Sequence, residues 1–214
     1  MPIRILHIDI EGGWGGSSRS LFELTSKFHR NQIYPVIAHR KKGPISKRYR
    51  KIGIQSHHMP GIFSYAPKLR VKNFKNFIAS LPKMLELPKV INKIIKMIRL
   101  YKIQIIHLNY EGLFIIAKLL KEKLNIPIIC HSRTQIPNDI FGRYLVKTLS
   151  KNVDHIFFIS PQEKKRFCQI EMGSKVSKSI MWNISANKNG KRLKKTSEVV
   201  YFGDISPDKG TDRL

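Results

Sequence analysis

Ile3-Arg4-Ile5-Leu6-His7-Ile8-Asp9-Ile10-Glu11-Gly12-Gly13-Trp14-Gly15-Gly16-Ser17-Ser18 decides the fold. Residues 3–8 are a β-branched run, which favours a strand. The run stops at a loop of two glycine pairs around Trp14. From Ser17 to Arg30, Leu21, Leu24 and Phe28 then recur at helical spacing against a polar opposite face. Strand, glycine loop and helix in this order make the first half of a βαβ unit.

The alternation continues outward. Tyr34–His39 reads as a strand, 45–52 as a basic helix and 54–58 as a third strand. Residues 59–73 form a loop containing Pro60, Gly61 and Pro67. Phe74–Tyr101 is a long helical stretch, broken near Pro82 and Pro88. Strands at 103–108, 127–131, 155–159 and 179–182 then alternate with helices at 113–124, 141–150 and 161–168. The apolar runs are continuous, as in strands covered on both faces. The expected class is α/β: a Rossmann-like, doubly wound parallel sheet over residues 1–186. Residues 187–197 are polar and basic and read as a linker. A second Rossmann-like unit begins at 198 and acquires only a strand and a loop by Leu214. One strand cannot bury a core, so 198–214 reads as the start of a truncated domain.

Composition excludes several classes. The chain has 214 residues, 42% of them hydrophobic, enough for a core. With 13 Gly and 2 Cys it is neither collagen-like nor a disulfide scaffold. Cys130 and Cys168 form no CxxC pair, and two lone thiols fit a reducing compartment. The first residues are too short an apolar run for a signal peptide, and no stretch approaches the roughly 18 apolar residues of a membrane span. A cytoplasmic location is expected. Forty Lys+Arg against 14 Asp+Glu give a net charge of +26, which calls for an anionic partner.

Three segments can carry chemistry. Gly13, Gly15, Gly16 and Ser17 lie between a strand and a helix. There a glycine backbone and a helix N-terminus accommodate an anion or a sugar. The spacing is neither GxGxxG nor a P-loop, and the alternative is an ordinary turn capped by Ser17 or Ser18. His131 and Arg133 follow another strand. His131 can donate a proton or hydrogen bond, and the Arg133 fork can hold a phosphate or carboxylate, the alternative being a strand-end histidine bonded to backbone. Asn109 and Glu111 can bind ligand hydroxyls, or cap the helix starting near Gly112. The remaining histidines show no metal-ligand spacing, so no metal is expected. Adjacent His57 and His58 point to opposite faces of a strand.

Most of the charge lies elsewhere. Arg40, Lys41, Lys42, Lys47, Arg48, Arg50 and Lys51 cluster. Lys89, Lys93, Lys96 and Arg99 recur along a helix whose other face is Val90, Ile91, Ile94, Ile95 and Ile98. Such a helix lies on an anionic membrane or packs in a core with a solvated lysine face, and the two are compatible. Nucleic acid is not expected as a partner: the basic segments lack interleaved aromatics and no nucleic-acid motif occurs.

The order of these segments resembles the GT-B glycosyltransferases of family 4. Ile3–Ile8 with Gly12-Gly13-Trp14-Gly15-Gly16-Ser17, Arg19 and Leu24 is similar to that family's opening. His131-Ser132-Arg133 falls where it places a histidine after a strand. Phe158-Ile159-Ser160 resembles its strand-to-helix segment, and Met181-Trp182-Asn183 the stretch ending its first domain. Phe202-Gly203-Asp204-Ile205-Ser206-Pro207-Asp208-Lys209-Gly210 resembles the GRLSPEKG loop opening its second domain, with Asp204 in place of the arginine.

The resemblance implies two facing Rossmann-like domains, the first binding acceptor and the second a nucleotide-sugar. It implies transfer of a sugar from a nucleoside-diphosphate donor to a saccharide or lipid-linked acceptor in cell-surface polysaccharide or lipopolysaccharide synthesis. Retention and the absence of cofactor or metal are implied as well. By the same resemblance, Lys209 contacts the donor diphosphate, Gly15 and Gly16 line the transfer site, and His131 touches the transferred sugar. Residues 1–214 alone are expected to be inactive and to need a C-terminal domain or partner chain. The basic helix adds a peripheral position at the inner face of the cytoplasmic membrane. The alternatives are a non-catalytic, membrane-docking half of a split transferase and a nucleic-acid-binding Rossmann-like protein.

Overall fold

The computed structural model describes residues 1–65, 85–171 and 173–182. The expected helix over 74–84, the linker 187–197 and the unit 198–214 with Lys209 lie outside the described residues. So does Asn183.

Seven parallel strands form one sheet. They are β1 (Ile3–Asp9), β2 (Ile33–His39), β3 (Gln55–His58), β4 (Ile105–Leu108), β5 (Ile128–Ser132), β6 (His155–Phe158) and β7 (Ser177–Ile180), in the order β3-β2-β1-β4-β5-β6-β7. The order reverses between β1 and β4, which are paired His7 to His107. Ligands in such sheets bind outside the carboxyl ends of the strands at that reversal.

The two sheet faces differ in chemistry because side chains alternate along each strand. Leu6, Ile8, Val36, Ala38, Ile106, Leu108, Ile128, Cys130, Ile156 and Phe158 enter the main core. On it pack α3 (Leu87–Tyr101), α4 (Phe114–Lys121), α5 (Ile140–Asn152) and α6 (Pro161–Glu171). Ile37 on the opposite face joins Ile45, Tyr49 and Ile54 in a smaller cluster. Trp14 and Phe22 pack against this cluster from α1 (Gly16–Ser26) and the loop before it, and Ile45 and Tyr49 belong to α2 (Ile45–Lys51). His7, Asp9, His107, Asn109 and His131 alternate with the main-core residues and are almost fully buried.

Several boundaries differ from the sequence expectation. Helix α1 ends at Ser26, not Arg30. Its buried stripe is Ser18, Leu21 and Thr25. Phe28 leaves the helix, and its ring lies 6.2 Å from that of His7. The N-cap of α1 is Gly15 with no side-chain cap, so neither Ser17 nor Ser18 caps it. Helix α5 begins where Asp139 accepts a 2.8 Å hydrogen bond from the Gly142 amide.

Helix α3 packs in the core, the second of the two compatible readings of the basic segment. Leu87, Val90, Ile91, Ile94 and Ile98 are buried in the main core. Full burial of each such side chain stabilises by about 1.5–3 kcal/mol. The apolar face is thus a core face, and Lys89, Lys93, Lys96 and Arg99 form the outer one. Among the described residues no helix is long and apolar enough to cross a membrane.

Candidate functional site

A buried polar network closes the carboxyl ends of β1, β4 and β5. Asp9, the last residue of β1, accepts from Ser18 Oγ (2.5 Å), Asn109 Nδ2 (3.0 Å) and the Ile10 amide (3.0 Å). Ser18 sits in the first turn of α1, so the carboxylate ties strand end to helix start. Burial raises the Asp9 pKa, and these three donors and the Arg133 charge oppose the rise. Ser18, given as a possible cap, is therefore part of the network.

Asn109, just after β4, faces two ways. Its amide nitrogen donates to Asp9 and to the Ser17 carbonyl (3.3 Å). Its side-chain oxygen accepts from Arg133 Nη2 (2.7 Å) and Nε (3.1 Å), and its carbonyl also accepts from Nε (3.1 Å). Glu111 accepts from the Arg133 amide (2.8 Å) and from Thr134 Oγ1. Neither Asn109 nor Glu111 caps a helix: the turn Glu111–Leu113 and α4 have no side-chain cap. The capping alternative is thereby corrected. Both side chains are fully buried, and their hydrogen bonds brace the loops that follow β4 and β5. Burial pushes the Glu111 carboxyl up to about 7 against the pull of its two donors. Burial also lowers the Arg133 pKa, opposed by the charges of Asp9 and Glu111.

The glycine loop has a pinned side and an open side. A Cβ on Gly12 would lie 1.9 Å from the Lys41 carbonyl oxygen, and one on Gly43 would lie 2.0 Å from the Gly12 oxygen. Gly12 also accepts from the Ile45 amide at 3.2 Å. The Trp14 ring meets Phe22 edge-on at 5.3 Å, and the Arg48 guanidinium lies 3.9 Å above it. Arg19 stands 5.9 Å from the same ring, and Glu11 pairs with Lys41 at 2.9 Å. Gly13, Gly15 and Gly16 are different: a Cβ on any of them would meet nothing within 4 Å. Their backbone faces open space, and Gly15 and Gly16 are exposed. With no side chain capping α1, the first amides of the helix are presented at the same place.

His131 is the last residue but one of β5 and does not stand alone. Its Nδ1 lies 2.8 Å from His107 Nε2, and His107 Nδ1 lies 2.8 Å from His7 Nδ1. Burial pushes His7 and His131 down to about 3 and His107 well below its ordinary value, so all three rings are neutral. The neighbouring Arg133 charge adds to this at His131 and His107. As a neutral imidazole, His131 holds one N–H donor and one acceptor.

The structure thus brings Ser17, Asn109, Glu111, His131 and Arg133 together with Gly13, Gly15 and Gly16 at one sheet edge. Asp9, Ser18, Thr134, His7 and His107 are members the sequence reading did not select. Asp9 had a signal, being an acid at the carboxyl end of the first strand. His7 and His107 had none without the strand register. Among the described residues no group of His, Cys, Asp and Glu is arranged to hold a metal ion. Both cysteines are free, Cys130 buried and Cys168 exposed. A separate groove of about 410 Å³ lies between α3 and the end of α4, lined by Asn92, Ile95, Lys96, Arg99, Lys123 and Leu124.

The family model for Glycosyltransferase Family 4 matches residues 14–177. The fold is similar to Anabaena Alr3699/HepE solved in complex with UDP, at TM-score 0.60 and 14% identity, covering 85% of this chain and 44% of that one. It is similar to the lipopolysaccharide outer core galactosyltransferase WaaB, at TM-score 0.57 and 12% identity, covering 87% and 47%. Sucrose-phosphate synthase from Thermosynechococcus elongatus gives TM-score 0.56 and 14% identity, covering 84% and 48%. The chain spans less than half the length of each of these structures. No curated protein matches it in sequence.

Proposed function

The chain belongs to glycosyltransferase family 4, and on that premise we propose that it supplies the acceptor-side domain of a GT-B sugar transferase. The donor is a nucleoside-diphosphate sugar. The acceptor is a saccharide or lipid-linked saccharide of cell-surface polysaccharide or lipopolysaccharide synthesis, and transfer proceeds with retention. Alr3699/HepE is solved with UDP and with UDP-glucose, which supports this donor class.

One observation carries the reading. The open backbone of Gly13, Gly15 and Gly16 follows the carboxyl end of β1, and His131 lies near the carboxyl end of β5, two strands along the same sheet edge; in this reading an incoming sugar meets backbone rather than side chains there. Glycine permits this close approach, and the α1 N-terminus favours an oxygen that gains negative charge during transfer. Asp9, Asn109, Glu111 and Arg133 hold the two flanking loops at fixed spacing around that edge. His131 then supplies a neutral ring to a sugar hydroxyl. Lys209 contacts the donor diphosphate.

Residues 1–214 alone transfer no sugar in this account, because the chain spans less than half the length of the structures it resembles. The remaining part of the donor site comes from a C-terminal domain or partner chain. The outer face of α3, with Lys89, Lys93, Lys96 and Arg99, holds the protein against an anionic inner membrane face by charge alone, since its apolar face is buried.

An array of immobilised saccharides and lipid-linked saccharides tests the acceptor assignment. Purified 1–214 is expected to retain at least one probe, and Gly15→Leu with Gly16→Leu is expected to abolish retention without loss of fold. Retention by no saccharide, or unchanged retention by the double variant, refutes it. Sugar transfer by 1–214 alone from any nucleoside-diphosphate sugar refutes the need for a second part.

A further inference from the structure

The described part of the molecule holds one chain of titratable groups that closes the sheet from inside. His7, His107 and His131 come from three adjacent strands, β1, β4 and β5, and touch ring to ring through two N···N contacts of 2.8 Å. The rings meet edge-on, His7 to His107 at 81° and His107 to His131 at 77°. In this orientation a ring N–H aims at the lone pair of its neighbour.

Two neutral imidazoles can share such a contact only if one donates and the other accepts. His107 takes part in both contacts, through Nδ1 and Nε2, and has one proton. The direction of one bond therefore fixes the direction of the other. Two arrangements exist. In one, the N–H groups run from His131 towards His7 and leave an N–H on His7 Nε2. In the other, they run from His7 towards His131 and leave an N–H on His131 Nε2.

The two ends of the chain are not equivalent. His7 Nε2 is sealed in the interior without a hydrogen-bond partner. The nearest ring there is Phe28, tilted 34° at 6.2 Å, which does not offer its face to an N–H. His131 Nε2 is not sealed in this way, although His131 as a whole is only 2% exposed against 3% for His7. An orphaned buried N–H is the rarer and costlier kind of orphan. Placing the bare nitrogen on His7 and the N–H on His131 avoids it.

We propose that His7 and His107 are positioning residues that lock His131 as the Nε2–H tautomer, so that the ring offers a hydrogen-bond donor, and not a base, at the glycine-lined edge. The locked donor suits a hydroxyl or carbonyl oxygen of a sugar. It rests on the reading that this edge receives the sugar, but the lock is a property of the free protein. The Arg133 charge favours the neutral ring of His131, the form in which the tautomer is defined.

Nitrogen-15 NMR of histidine-labelled 1–214 tests the lock without ligand or activity. His131 is expected to show a protonated Nε2 and a bare Nδ1 at neutral pH, with His107 in the same tautomer and His7 protonated at Nδ1. Scalar coupling across the His107–His131 contact is expected as well. A His131 protonated at Nδ1, a cationic His131 or the absence of that coupling overturns the proposal. In folded His7→Phe the partnerless buried end becomes His107 Nδ1, which stays bare for the same reason, so His131 is expected to keep its Nε2–H tautomer. Appearance of an Nδ1–H His131 in folded His7→Phe also overturns it. Failure of the saccharide array with these NMR results intact would reject the sugar reading and leave the lock standing.

Discussion

Gly12→Ala is the sharpest perturbation available in the glycine loop. The new Cβ would lie 1.9 Å from the Lys41 carbonyl oxygen and 2.5 Å from its carbon, where ordinary contact begins near 3.4 Å. Both atoms are backbone, so the loops 10–16 and 40–44 must part by more than an ångström. Overpacking of this kind costs about 1–3 kcal/mol. The Ile45 amide to Gly12 bond is stretched at the same time, a loss of about 1 kcal/mol. Reduced freedom of the unfolded chain returns about 0.4–1 kcal/mol. The balance is a destabilisation of about 1–3 kcal/mol, and at about 2–4 °C per kcal/mol for a chain of this size the melting temperature falls by roughly 3–10 °C. Gly13→Ala is the control, because its Cβ meets nothing within 4 Å; its stability stays within about 0.5 kcal/mol of the parent. Thermal denaturation followed by circular dichroism separates the two. Equal melting temperatures for Gly12→Ala and Gly13→Ala would refute the division of this loop into a pinned side and an open side.

Other predictions concern the network and the basic face. The Glu111 carboxyl has its pKa raised from 4.5 to about 7 on folding, so the fold binds that proton more tightly than the unfolded chain does. Its contribution is fully present below pH 4.5 and is lost as pH rises towards 7. Glu111→Gln flattens this stretch of the stability–pH curve, by roughly 2–4 kcal/mol across the window in urea titrations. Asp9→Ala strips acceptors from Ser18, Asn109 and the Ile10 amide and leaves the Arg133 charge with less compensation; urea denaturation is expected to show a loss of about 3–5 kcal/mol, smaller for Asp9→Asn. Replacing Lys89, Lys93, Lys96 and Arg99 together by Gln weakens binding to anionic vesicles by about 1 kcal/mol per charge at low salt and leaves binding to neutral vesicles unchanged. Equal loss on both vesicle types would point to an apolar contact instead.

The sequence carried the fold well because each strand is an apolar run bounded by loops that Gly, Pro or polar residues mark. Every strand and helix expected within the described residues is present. Ends shifted where local periodicity overstated them. Phe28 continued the Leu21–Leu24 pattern but packs beside His7 instead of extending α1. For α3 the same lysine-and-isoleucine pattern fits a membrane surface and a core, and only the packing of Val90, Ile91, Ile94 and Ile98 shows that the apolar face belongs to the core. The site was half legible. Glycines, His131 and Arg133 stand next to strand ends and can be found one at a time. The contacts among Asp9, Asn109 and Arg133, or among His7, His107 and His131, join residues 24 or 100 positions apart. They depend on β1, β4 and β5 being neighbours, which alternation of strands and helices does not determine. The Gly12–Gly43 approach likewise depends on a strand pairing, that of β1 with β2.

The central claim is that the edge formed by Gly13–Ser17 and His131 receives the sugar. Amide and histidine chemical-shift mapping on labelled 1–214, titrated with a saccharide retained on the array and with UDP-glucose, tests it most directly. The account predicts shifts concentrated at Gly13, Gly15, Gly16, Ser17 and the His131 ring, with smaller ones at Asn109, Glu111 and Arg133. Shifts centred on the Lys89–Arg99 face or on the groove between α3 and α4, with the glycine edge silent, would contradict it.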